Sequence, residues 1–77
     1  MKKTEVKTNK YDLPRIIWSN IRKYQYLNSL NDTQLADLMG VCPKTIASYD
    51  KNPEVLQLGK IRCFVDGTGV SMEDLIK

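Results

Sequence analysis

Lys44, Thr45, Ala47, Ser48 and Lys51 hold the most informative chemistry of this sequence. If residues 43–51 form a helix with Ile46 and Tyr49 turned inward, these five are left for the outer surface. Ammonium and hydroxyl groups on one exposed helix are the chemistry of binding. The chemistry of bond breaking is not apparent: the chain has no histidine, and no nucleophile motif or metal cluster accompanies Asp50. Cys42 and Cys63 lack the spacing of a metal site and read as two free thiols in a reducing cytoplasm. No enzyme, cofactor or metal is expected.

The elements that must position these residues are legible on either side of them. The stretch Asn31–Lys51, NDTQLADLMGVCPKTIASYDK, reads as two short helices joined by a tight turn, with Gly40 at the joint and Val41 closing it. Asn31 and Gln34 stand in capping-box spacing, and Asp32 places negative charge in the first turn, where the helix dipole favours it. Gly40 ends this helix as a residue able to take a left-handed conformation. Cys42 is a weak cap for the next helix, because sulfur accepts hydrogen bonds poorly, while Pro43 sets φ in advance. Leu35, Ala36, Leu38, Val41, Ile46 and Tyr49 fall where such a pair packs on itself. Asn52-Pro53 stops the second helix. A helix held this way presents its outer face to a partner, most commonly the major groove of DNA.

The rest of the chain reads as further helices, with no strand pattern. Residues 1–11 are polar and aperiodic and read as a flexible basic tail; residues 12–77 read as one domain. Asp12 as N-cap and Pro14 in the first turn open a helix from about Leu13 to Tyr26, with Ile17, Trp18, Ile21 and Tyr24 as its apolar stripe. Leu27-Asn28-Ser29-Leu30 is expected to connect, with its leucines tucked against the core. After Val55 and Leu56, a fourth segment carries Leu58, Ile61, Phe64 and Val65 at helical spacing and breaks at Asp66-Gly67-Thr68-Gly69. Ser71 caps a last short helix with Leu75 facing in. The expected fold is all-α, a compact bundle of about five short helices around a central helix-turn-helix.

Length and charge bound the function. Seventy-seven residues allow one domain and a small core. No run of ~18 apolar residues is present to span a membrane, and the lysine-rich start is not followed by the apolar stretch of a secretory signal. The net charge of +3 comes entirely from residues 1–10; the remaining 67 residues hold eight basic and eight acidic side chains. Overall charge therefore does not argue for nucleic acid, although lysines sharing one face still can.

The pattern LADLMGVCPKTIASYDKN resembles the Cro/cI-type (XRE, lambda-repressor-like) helix-turn-helix family. The matching positions are Leu35-Ala36, Gly40-Val41, Cys42 where the family has a capping serine, the inward Ile46, and an aromatic before an acid at Tyr49-Asp50. The ending GVSMEDLI is similar to the family's closing turn and short helix. The resemblance covers roughly residues 13–77, with 30–52 and 69–76 aligning closely. Four positions or segments depart from it. Asp32 replaces a usual glutamine that braces phosphate, Pro43 opens the reading helix, the first connection is longer, and Asn52-Pro53-Glu54 follows the third helix.

What the resemblance implies can be assigned residue by residue. Lys44, Thr45, Ala47 and Ser48 would contact bases, Lys44 through guanine O6 and N7 and Ala47 through a thymine methyl. Thr33, Tyr49, Lys51 and Asn52 would contact phosphates, with Tyr49 alternatively a core residue. Arg22 and Asp50 would form a structural ion pair. The bland alternative for Lys44, Ser48 and Lys51 is the solvated face of an amphipathic helix. Two functions follow. One is a cytoplasmic, phage-type or bacterial regulator that occupies operator DNA as a homodimer, through Met72, Leu75, Ile76 and the fourth helix, without a small-molecule ligand. The other is a protein-interaction module of antitoxin or anti-repressor type, favoured by the neutral domain, Asp32 and Pro43.

Overall fold

The computed structural model describes residues 12–77. Its helices are α1 (Leu13–Leu27), α2 (Asp32–Met39), α3 (Pro43–Lys51), α4 (Leu58–Thr68) and α5 (Met72–Leu75), with a 3-10 turn at Pro53–Val55 between α3 and α4. No strand forms among the described residues, so the fold is a small all-α bundle. The tail expected at residues 1–11 lies outside the described residues.

Helix α1 buries Ile17, Trp18, Ile21 and Gln25 along one stripe. Asp12 stands at its N-cap in extended conformation, but its carboxylate makes no capping bond. The helix runs to Leu27, and Ser29 then takes a left-handed φ of 56°. The expectation that Leu27 and Leu30 tuck into the core is corrected. Leu27 is exposed and Leu30 half-buried. Leu27 follows the buried Gln25 by two residues, roughly 200° around the helix at ~3.6 residues per turn, so it faces outward.

Helix α2 starts on a complete capping box. The Asn31 side chain accepts from the Gln34 amide at 2.8 Å, and the Gln34 side chain accepts from the Asn31 amide at 2.9 Å. Gly40 ends it with φ 70° and ψ 36°, and the Val41 amide returns to the Ala36 carbonyl at 3.0 Å. Lys60 of α4 donates to the Gly40 carbonyl at 3.3 Å, so a cation also sits at this negative helix end. After the turn α3 begins at Pro43, and the Cys42 thiol makes no capping bond, as its weak acceptor strength predicts.

The core sits where α2 packs on both α3 and α4, with α1 closing it against α5 and the 3-10 turn. Ile21, Leu35, Ala36, Met39, Ile46 and Phe64 are fully sealed, and Tyr24 meets Phe64 edge-to-face at 5.3 Å. Two expectations for α4 are corrected. Leu58, at the helix's first residue on the rim of the core, is exposed. Asp66, Gly67 and Thr68 continue the helix, and the break falls at Gly69, whose φ is 78°.

Two glycine substitutions test this account in opposite directions. A Cβ at Gly59 meets nothing within 4 Å, so Gly59→Ala should raise stability by about 0.5–1 kcal/mol in denaturant unfolding. Gly40→Ala should lower it by roughly 1–2 kcal/mol, because an alanine is strained in the left-handed region.

Candidate nucleic-acid interface

On α3, Ile46 and Tyr49 are buried, while Lys44, Ala47, Ser48 and Lys51 are exposed. Their spacing of three, four and seven residues aligns those four into one outward stripe. Thr45 is half-buried at the stripe's flank. The Ser48 hydroxyl rests on the Lys44 carbonyl of its own helix at 3.4 Å. Thr33 is exposed at the second residue of α2. Asn52 is exposed as well, and its side-chain oxygen accepts from the Glu54 amide at 3.3 Å, capping the 3-10 turn.

Tyr49 does not belong to the surface set. It is only 3 % exposed, and its ring meets Trp18 edge-to-face at 5.0 Å. Assigning it to phosphate is therefore corrected in favour of the core, and burial pushes its phenol pKa up. Leu75, expected to share a dimer surface, is 1 % exposed. Its carbonyl accepts from the Asn20 amide nitrogen at 2.7 Å, which ties α5 down onto α1. Met72 is half-buried and Ile76 is 46 % exposed, so these two retain outward apolar surface.

Behind the stripe, Arg22 joins three helices. Its Nε and Nη2 donate to the two oxygens of Asp50 on α3 at 3.1 and 2.5 Å, forming the pair that the resemblance implied. Its Nη1 donates to Asp32 at the start of α2 at 2.8 Å and to the Gln25 side-chain oxygen. Gln25 in turn donates to Asp32 at 2.9 Å. Trp18 donates from its indole nitrogen to Asp50 at 2.7 Å, and the guanidinium carbon lies 5.3 Å from the Trp18 ring centroid, within cation–π range. Every polar atom of the buried Gln25 amide group that takes part is thus held by a charged partner, which is how a buried amide avoids its desolvation cost.

Sequence reasoning placed the Arg22–Asp50 pair but missed Gln25 and the partnership of Asp32 with Arg22. The signal was present: Trp18, Arg22 and Gln25 recur at four and three residues, and a polar residue continues the apolar stripe of α1. The readings of Asp32 as a first-turn charge and as a departure from the family's glutamine name no partner for it, because that partner lies ten residues away across a connection whose path the sequence does not reveal. Among the described residues, no group of three or more His, Cys, Asp or Glu side chains could hold a metal ion. No helix among them is long and apolar enough to cross a membrane. Comparisons with family models, curated proteins and solved structures find no match for this chain.

In the hub, hydrogen bonding outweighs the opposing cost of burial. Hydrogen bonds from Arg22, then Trp18, hold the Asp50 carboxyl below its ordinary pKa. Bonds from Gln25, then Arg22, do the same for Asp32, and Asp50 raises the already high pKa of Arg22. A carboxyl depressed in the folded state binds fewer protons there than in the unfolded chain. Its stabilisation is therefore present above the unfolded pKa and lost as pH falls through the folded one. Both acids are about half exposed, so solvent screening keeps each contribution small. Thermal unfolding followed across pH should show a melting temperature that drops between about pH 5 and pH 2. Asp50→Asn should lower the plateau and shallow the drop.

Proposed function

We propose that this chain is a sequence-specific double-stranded DNA-binding transcriptional regulator that acts by occupying an operator. It works as a homodimer in the cytoplasm of a bacterial or phage-infected cell, without a cofactor or catalytic step. The observation that carries the reading is the exposed stripe Lys44, Ala47, Ser48 and Lys51 on α3, mounted on α2 by the left-handed turn at Gly40. A helix displayed in this way, with donors in its first turns, suits entry into the major groove. Lys44, one turn before Ser48, supplies a donor for guanine, and Ala47 between them offers a methyl to thymine. Lys51 and Thr33 lie outward where backbone phosphates would be met. The resemblance to Cro/cI-type proteins points the same way.

A second reading, a protein-interaction module, draws on the charge balance of residues 11–77, with eight basic and eight acidic side chains. Selection from random duplex DNA at near-physiological salt separates the two. Enrichment of a palindrome with half-sites about one helical turn apart supports a dimeric regulator. A folded protein that enriches no sequence supports a protein partner.

On the selected duplex, Lys44→Ala should cost roughly 1–3 kcal/mol of affinity and relax the choice of base at one position. Ser48→Ala should cost about 1 kcal/mol. Lys51→Ala should weaken all sequences alike and reduce the slope of log K against log salt by about 0.9. Unchanged affinity and selectivity in both Lys44→Ala and Ser48→Ala would displace the reading face from α3.

A further inference from the structure

We propose that Asp32 restrains DNA affinity by acting as an internal stand-in for a backbone phosphate, occupying one edge of Arg22 and the start of α2. This rests on the DNA reading above. Asp32 is 54 % exposed in its side chain, yet two bonds fix it, from Arg22 at 2.8 Å and from Gln25 at 2.9 Å. The bonds from Arg22 and Gln25 end on one oxygen, so that place needs an acceptor but not its negative charge. The capping box of α2 is complete with Asn31 and Gln34, and the Arg22 fork is already matched by both oxygens of Asp50. Asp32 is thus a second carboxylate on one guanidinium, and among the described ion pairs the two acids share that single cation.

Its place gives the surplus charge a consequence. One guanidinium reaches both Asp32 and Asp50, so the fixed acid at the start of α2 lies close to the carboxylate in the last turn of α3. Beside it, Thr33 and the first amides of α2 form the kind of helix start that favours an anion. A carboxylate held there opposes an incoming phosphate and keeps the guanidinium edge engaged. The result is a weaker, less salt-dependent grip on the DNA backbone, which leaves a larger share of the discrimination to the stripe on α3.

The test titrates the full chain with two duplexes, a mixed-sequence one and the one enriched in selection, across a series of salt concentrations. Asp32→Asn keeps an oxygen for Arg22 and Gln25 while removing the charge. It should bind both duplexes ~3–10-fold tighter near 0.1 M salt, as expected for one like charge removed close to a phosphate in water-like dielectric. The slope of log K against log salt should steepen, by no more than about 0.9, the value for one further phosphate neutralised. Asp37→Asn, an exposed acid later on the same helix, changes net charge equally and should alter neither. Thermal melting confirms folding, and Asp32→Ser serves if Asp32→Asn unfolds the chain. Equal or weaker binding by the Asp32 variant overturns the proposal, as does an equal gain in Asp37→Asn. Binding that emerges only when Asp32 is neutralised supports it. A wild type and an Asp32 variant that both bind no duplex would remove the DNA reading itself, and this inference with it.

Discussion

Arg22 binds acids from two other helices at once, and the mutual placement of α1, α2 and α3 depends on that single guanidinium. Apolar burial supplies most of the stabilisation but is non-directional, and allows packed helices to rotate and slide while keeping their stripes covered. The forked bond to Asp50 does not allow this, because both oxygens must meet both nitrogens in one plane. Asp32 and Gln25 extend the same constraint to the start of α2. The carboxylates are about half exposed, so the hub adds little net stability. Its contribution is orientation, choosing one arrangement among those the core would tolerate.

That choice bears on α3, the helix on which the proposed function rests. A nine-residue helix has marginal stability alone and holds its face outward only if its inner side is anchored. Ile46 and Tyr49 anchor it from within, Tyr49 against Trp18, and Trp18 also donates to the carboxylate that Arg22 holds. The aromatic pair and the ion pair therefore form one joint. An acid in the last turn of α3, unfavourable to the helix dipole, stays half exposed and is neutralised by Arg22. The outer stripe is left with two lysines, a serine and a methyl.

Much of this was legible because it is local. The capping box at Asn31 and Gln34, the left-handed Gly40, Pro43 at the first turn of α3 and the Ser71 cap of α5 each follow from the chemistry of two to four neighbouring residues. The stripe on α3 follows from helical spacing alone, since Ile46 and Tyr49 leave only one way for Lys44, Ala47, Ser48 and Lys51 to face. The exposure of Leu27 and Leu58 was not legible, because an apolar residue at a helix end is buried only if another element reaches it.

The sequence by itself determined the helical class, the start and stop of α2 and α3, and the residues that α3 turns outward. Local hydrogen bonding and a period of ~3.6 residues decide those properties. Only the tertiary structure decided that Tyr49 is sealed against Trp18, that Gln25 is a buried joint, and that Asp32 shares a guanidinium with Asp50. Those relations join side chains separated by up to 32 residues, and spacing within one helix carries no information about which side chain of another will meet it.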